Sequence, residues 1–231
     1  MRTKLVNEIL LFISRDNYKI LRINYKKAKS PEIEIYEFKS KLWRSVNATL
    51  ECYPPYGAVS LNGDMYWISQ KKKMVDKKNE MFIQSFDFST ETFKPICCVP
   101  NGIYVSSGKI VFLSGFGKDR LALLTEHEHV KIDVWVTSKL TDDGIVSWSK
   151  YFDVSLRHDP SKVSSIFLTA FILNKIMLLY EEKDDRNIYT NVYEMGDEGE
   201  IKKQVEMTRR FRSGDYSFCS VYVPSLVPVP E

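Results

Sequence analysis

Glu126-His127-Glu128-His129 is the stretch of this chain whose residue types come nearest to a reactive centre. Two histidines one residue apart share a face of a strand, and paired imidazoles can ligate zinc. A zinc site needs a third ligand, and none is identifiable beside this pair, so the segment reads as an exposed polar loop joining two strands. Gly115-Phe116-Gly117-Lys118-Asp119 sets a lysine in a glycine-rich turn. A phosphate-binding loop needs GxxxxGK, then Ser or Thr, then a helix; here Asp119 and a strand follow, so a plain turn is expected. Asp142-Asp143-Gly144 and Asp184-Asp185 bring carboxylates together without a base or nucleophile beside them, and read as turns. Cys52, Cys97, Cys98 and Cys219 show no CxxC spacing and no histidine partner, and read as buried free thiols. These patterns predict no catalytic residue, no metal site and no cofactor.

Two further motifs have bland readings. Lys71-Lys72-Lys73 with Lys77-Lys78 could serve as a nuclear signal or meet an acidic partner, although such runs are usually solvated hairpin loops. Asn47-Ala48-Thr49 fits the glycosylation sequon, which in an intracellular protein is coincidence.

The charge balance narrows the partner class. With 33 basic and 30 acidic side chains the net charge is only +3, too even to form an electrostatic footprint for nucleic acid or an anionic membrane. The apolar run Ile9–Ile13 is far too short to span a bilayer. Arg2 and Lys4 before Leu5-Val6 loosely fit a signal peptide, but Asn7 and Glu8 interrupt the apolar region and no small-residue cleavage site follows. An intracellular location, cytoplasm and/or nucleus, is expected. A length of 231 residues at 44% hydrophobic content supports a single core and one domain.

The elements that would position such residues are strands. Aromatic residues make up 13% of the chain, a composition suited to pleated, half-buried surfaces. Tyr18–Ile23 and Glu32–Phe38 alternate polar and apolar residues with the period of a strand. Ala58–Leu61, Asn62-Gly63 and Asp64–Ile68 form the clearest unit, because Asn-Gly accepts the positive φ angles of a type I′ hairpin turn. Further strands are predicted at Met81–Phe88, Ile110–Leu113, Arg120–Leu124, Lys131–Thr137, Ile166–Ile172, Ile176–Tyr180 and Ile188–Tyr193, with a tight turn at Asn174-Lys175. A helix is predicted only over Thr3–Ile13, with Leu5, Val6, Ile9, Leu10 and Ile13 on one side.

An internal repeat organises these strands. Tyr36 and Trp43 stand seven positions apart, and Phe86 and Phe93 repeat the spacing. Trp135 and Trp148 give a third copy with six extra residues in the turn, and Tyr193 leading to Ile201 gives a looser fourth. Tyr36, Phe86, Trp135 and Tyr193 are separated by 50, 49 and 58 residues. A period near 50 is that of kelch-type blades, each a four-stranded sheet. The pattern predicts a hairpin whose two strands set their aromatics side by side. A blade cannot cover both of its own faces, so neighbours must stack. The expected fold is therefore all-β, a kelch-like β-propeller or propeller-like array of antiparallel blades.

Four blocks in order carry a family resemblance. Gly57–Trp67 resembles the G-V-S-L-x-G-x-x-Y-W segment of the plant F-box-associated interaction domain, and Phe82–Phe93 is similar to its F-x-x-S-F-D-F-T-x-E-x-F segment. Arg120–Leu124, Ile132–Thr137 and Val146–Lys150 resemble a third block, and Tyr222–Val229 resembles the family's ending. The resemblance covers residues 18–231, read as the interaction domain, with residues 1–17 as an N-terminal segment forming a short helix or F-box remnant. Leu5-Val6-Asn7-Glu8-Ile9-Leu10 has the form that opens an F-box helix, but seventeen residues leave no room for a whole F-box of about 40–50 residues. Loss of a preceding portion would leave the blade ring incomplete.

The resemblance implies a substrate-recognition role in a Skp–cullin–F-box ubiquitin ligase. Its partner would be a target protein for ubiquitination, with no catalytic residues in this chain and no nucleic acid or membrane as partner. Binding of the Skp adaptor by this chain alone is not expected without the F-box. A stand-alone interaction protein competing for the same targets is the second reading, and a propeller enzyme, carbohydrate-active or oxidase, is the third. Loops carry function on a rigid scaffold, which makes Tyr53, Tyr56, Lys71, Lys72, Lys73 and Phe116 the candidate partner-binding residues.

Overall fold

The computed structural model describes residues 8–12, 19–24, 31–50, 58–72, 79–100, 103, 111–127, 131–141, 146–155, 163–172, 175–183, 187–196 and 200–211. Tyr53, Tyr56 and Lys73 lie outside these residues, as do Cys52, Cys219, Lys77, Lys78, Glu128, His129 and both aspartate pairs.

Sixteen strands among the described residues make four antiparallel sheets, each a meander of four consecutive strands. The first holds β1 (Glu8–Phe12), β2 (Lys19–Asn24), β3 (Glu32–Glu37) and β4 (Leu42–Ser45). The second holds β5 (Ala58–Leu61), β6 (Asp64–Lys72), β7 (Asn79–Asp87) and β8 (Thr92–Cys98). The third holds β9 (Val111–Phe116), β10 (Arg120–His127), β11 (Lys131–Thr137) and β12 (Trp148–Ser155). The fourth holds β13 (Val163–Ile172), β14 (Lys175–Lys183), β15 (Asn187–Met195) and β16 (Ile201–Phe211). The leading strands touch in sequence, β1 with β5, β5 with β9 and β9 with β13, so the sheets stack as consecutive blades. Among the described residues they form an open row and not a closed ring.

The helix predicted over Thr3–Ile13 is overturned where it is described, because Glu8–Phe12 is strand β1. Its register sets Ile9 opposite Ile23 and Leu11 opposite Leu21. A short apolar run satisfies both helical and strand periods, and an available partner strand decides between them.

The hairpin at Ala58–Ile68 forms as predicted, with Asn62 and Gly63 at φ 55° and 90°. Tyr36 pairs directly with Trp43, and Phe86 with Phe93. The turns ahead of Trp43 and Phe93 repeat in detail. Lys41 and Glu91 both adopt positive φ, and each donates its backbone N–H to the carbonyl four residues earlier at 2.8 Å. The third pair is corrected: a bulge at Val134/Trp135 sets Trp135 opposite Lys150 and Trp148 opposite Thr137.

Three cores fill the spaces between consecutive sheets, and all obey one rule. The back of the first sheet, Leu21, Ile23, Ile33 and Ile35, meets Met65, Trp67, Phe86 and Phe88 of the second. The back of the second, Tyr66, Ile68, Met81 and Ile83, meets Leu121, Leu123 and Trp135 of the third. The back of the third, Leu124, Ile132 and Val134, meets Tyr193 and Met195 of the fourth. The second, third and fourth sheets thus turn the aromatic of their third strand to the preceding sheet, and the first three turn a largely aliphatic face to the next. Period-two alternation along each strand produces both faces from one sequence.

Candidate functional site

In a four-strand meander the first and third connections lie at one end of the sheet and the second at the other. All five positive-φ residues described, Lys41, Asn62, Gly63, Glu91 and Gly117, fall at the first of these ends. Tight turns cluster at this end, and charged residues hold them in shape.

Asp87 is the hub of one turn. Its Oδ1 accepts hydrogen bonds from the Ser89 N–H at 2.7 Å, the Ser89 hydroxyl at 2.6 Å and the Thr90 N–H at 3.1 Å, and Oδ2 meets Lys94 Nζ at 3.0 Å. Burial alone would raise the Asp87 carboxyl, but these donors from Ser89, Lys94 and Thr90 outweigh it and hold the group well below the usual carboxylate range. Asp64, by contrast, is raised by burial and then by the neighbouring Asp87 charge. Divergent carboxylates of this kind suggest acid–base work. Here both Asp87 oxygens are taken up by its own hairpin, which makes it a turn-forming residue.

A second cluster clasps the first two sheets together. Arg44 donates Nε to Glu37 at 3.0 Å and an Nη to Glu91 at 2.7 Å, and a further Nη contact ties it to Glu91. Lys19 Nζ reaches Glu91 and the Phe88 carbonyl, each at 3.2 Å. Hydrogen bonding from Arg44, against the opposing effect of burial and with help from Lys19, holds the Glu91 carboxyl below its ordinary value.

The third sheet carries an aromatic and cationic shelf at its tight-turn end. Phe116 closes β9, and Gly117 turns the chain at φ 64°. The Phe116 ring meets Tyr151 edge-on with centroids 5.3 Å apart, and Tyr151 continues to Phe152 at 5.4 Å. Arg120 stacks its guanidinium 4.7 Å from the Phe116 centroid. Tyr151 reaches this position because it is the bulged residue between Phe152, opposite Val134, and Lys150, opposite Trp135. It remains 41% exposed, so the shelf presents a large aromatic to solvent.

The sequence-predicted contacts separate. Phe116 lies at the tight-turn end and is half-buried. Lys71 and Lys72 close β6 opposite Glu80 and Asn79, at the other end of their sheet. Tyr53, Tyr56 and Lys73 lie outside the described residues. Tyr151 and Arg120 were missed, and a bulge partway along a strand leaves no mark that single-sequence periodicity can read.

Two bland readings need correction. Glu126, expected in an exposed loop, is 2% exposed because β10 runs on to His127 and pairs Glu126 with Ile132. Cys98, expected buried, is exposed because β8 is the outermost strand of its sheet and its alternate residues face out. Cys97 is half-buried, and burial pushes its thiol up to about 11.

Among the described residues no three His, Cys, Asp or Glu side chains are grouped to hold a metal. A groove of about 480 Å³ is lined by Pro31–Glu34 and Ser45–Leu50, at the end of the first sheet away from the tight turns. No helix among them is long and apolar enough to cross a membrane.

The chain is similar to proteins of Arabidopsis thaliana. One, named a putative F-box protein, is 42% identical over 247 residues, covering 94% of this chain and 63% of the relative. Another, named F-box/WD-40 repeat-containing protein 1, is 37% identical, covering 95% of this chain and 57% of its own length. The chain thus spans about 60% of the curated relatives it matches. A solved structure, dipeptidyl peptidase 4 of Porphyromonas gingivalis, matches at 9% identity and TM-score 0.41, covering 87% of this chain and 38% of its own, too distant to speak to function. The model of the F-box associated beta propeller domain matches residues 12–229. With its four consecutive antiparallel blades, this chain belongs to the F-box associated beta propeller domain family.

Proposed function

We propose that this chain is the target-recognising module of a Skp–cullin–F-box ubiquitin ligase, working inside the cell by binding and not by catalysis. Membership of the F-box associated propeller family over residues 12–229 is the observation that carries the reading. The relatives' names place F-box proteins beside it.

The shelf of Phe116, Tyr151 and Arg120 is the recognition surface this reading favours. Aromatic and arginine side chains dominate binding energy at protein interfaces because they bury large areas with few rotatable bonds. Tight turns with fixed φ hold the shelf still before a partner arrives, which lowers the ordering cost of binding. The opposite end, where Lys71 and Lys72 close β6, is a second contact region.

Coupling to the ligase is tested by mixing the purified chain with a Skp adaptor, with an F-box-bearing relative as positive control. A stoichiometric complex makes the chain a ligase subunit by itself. A folded chain that leaves the adaptor unbound is, by itself, a detached recognition module that can compete for the same targets.

A further inference from the structure

Aromatic ring, arginine and carboxylate form a complete set of three on the first sheet. Arg22 stacks 4.1 Å from the Trp43 ring, and its Nε donates to Glu34, directly opposite on β3, at 2.8 Å. A guanidinium laid on a ring keeps its N–H edge free, and a carboxylate matches that edge with two oxygens. Arg44, at the tight-turn end of the same sheet, likewise gives its N–H groups to Glu37 and Glu91.

On the third sheet the set is open. Arg120 stands directly opposite Phe116 and stacks 4.7 Å from its ring, as Arg22 does on Trp43. It is exposed, and no carboxylate among the described residues pairs with it. Continuing the Ala122–Val136 register brings Ser138 beside Arg120, where the first sheet has Glu34, and the Ser138 hydroxyl accepts the Ser147 N–H at 3.1 Å. The neighbouring acids are already matched. Asp119 meets Lys139 at 3.2 Å, and Lys131 and Lys150 balance Asp133 and Asp153. Lys118, exposed in the Gly117 turn, has no acidic partner among the described residues. Two positive charges, Lys118 and Arg120, thus stand beside the exposed Tyr151 ring.

Given recognition at the shelf, on which this rests, we propose that the target protein supplies the missing carboxylate. The shelf takes an acidic segment, with an Asp or Glu on the Arg120 N–H edge and an adjoining apolar or aromatic residue against Tyr151. Arg22 with Trp43 and Glu34 shows the finished arrangement within the same chain. One guanidinium and one lysine match a carboxylate, whereas a phosphate dianion is ordinarily met by a cluster of arginines. Phe116 holds the guanidinium in place before contact, so little side-chain freedom is lost when the carboxylate arrives.

Short random peptides displayed on phage and selected on the intact chain test this. Selection is expected to enrich Asp or Glu beside an apolar or aromatic residue. The best binder is then synthesised as selected, with its acids changed to Asn or Gln, and with phosphoserine in their place. In fluorescence anisotropy, removing the carboxylate or making Arg120→Gln, with folding checked by melting, is expected to weaken binding by about 10-fold or more. The two changes together are expected to cost no more than either alone. Arg120→Lys is expected not to restore binding, because an ammonium lacks the planar fork. Peptides that weaken on Tyr151→Ala but not on Arg120→Gln overturn the acidic class and leave the shelf standing. A selection that yields no binder dependent on Tyr151 removes the shelf itself. A phosphoserine form that binds more tightly than the carboxylate form overturns the carboxylate in favour of phosphate. Asp142 and Asp143 follow Thr141 in sequence, outside the described residues. A double-mutant cycle in which Arg120→Gln and Asp142→Asn/Asp143→Asn share a single loss of Tm places the third member within this chain and overturns the proposal.

Discussion

Replacing Phe86 and Tyr36 by alanine, one at a time, weighs the same repeat position in two settings. Phe86 is 0% exposed between the first and second sheets, with ring neighbours Phe88 and Phe93. Removing a buried phenylalanine costs about 3–5 kcal/mol, through lost transfer energy and the cavity left behind. Tyr36 holds the equivalent position in the first sheet but is half-buried, with no sheet over it among the described residues, so its loss costs roughly 1–2 kcal/mol. Unfolding entropy of about 2.1 cal/mol/K per residue makes each kcal/mol worth about 2 °C in Tm for a chain of 231 residues. Phe86→Ala is then expected to lower Tm by about 6–10 °C and Tyr36→Ala by about 2–4 °C. The assay is calorimetric melting at low protein concentration, where contacts between copies do not contribute. Equal shifts for the two variants would refute the claim that sheets cover one another front to back in chain order.

Three further outcomes are expected. Gly63→Ala should cost about 1–2 kcal/mol in denaturant titration, because Gly63 sits at φ 90° in the β5–β6 turn and a Cβ is strained there. The depressed Asp87 carboxyl contributes stability that is present above its unfolded value near 3.9 and lost as pH falls toward its folded value. Tm should therefore decline from about pH 5 downward, and Asp87→Asn should flatten that decline while lowering Tm at neutral pH. In iodoacetamide labelling near pH 8 followed by peptide mass analysis, Cys98 should react well before Cys97, whose thiol is half-buried and titrates at about 11. Equal labelling of the two would contradict the outward placement of Cys98 on β8.

The fold was legible where local chemistry and long-range pairing agree. Asn62-Gly63 announced its hairpin because only φ-tolerant residues fit that turn, and the Tyr36–Trp43 and Phe86–Phe93 spacings announced blades because their short turns fix the register. The third repeat misled because the longer β11–β12 connection and the Val134/Trp135 bulge slide Trp148 away from Trp135. Glu8–Phe12 misled because its four-residue apolar run, Ile9–Phe12, carries no period of its own until β2 pairs with it. The site was less legible. Phe116 stood out beside its glycines, whereas Arg120 and Tyr151 join it only through strand pairing and a bulge.

The most direct test of recognition at the tight-turn end is affinity. Binders selected from a displayed plant protein library against the folded chain would be titrated against the wild type and the Phe116→Ala/Tyr151→Ala variant. Binders are expected to lose about 30-fold or more in affinity for the variant while tolerating change at Lys71 and Lys72. Binders that hold the variant as tightly as the wild type, and are lost instead when Lys71 and Lys72 are replaced, would place recognition at the opposite end and contradict it.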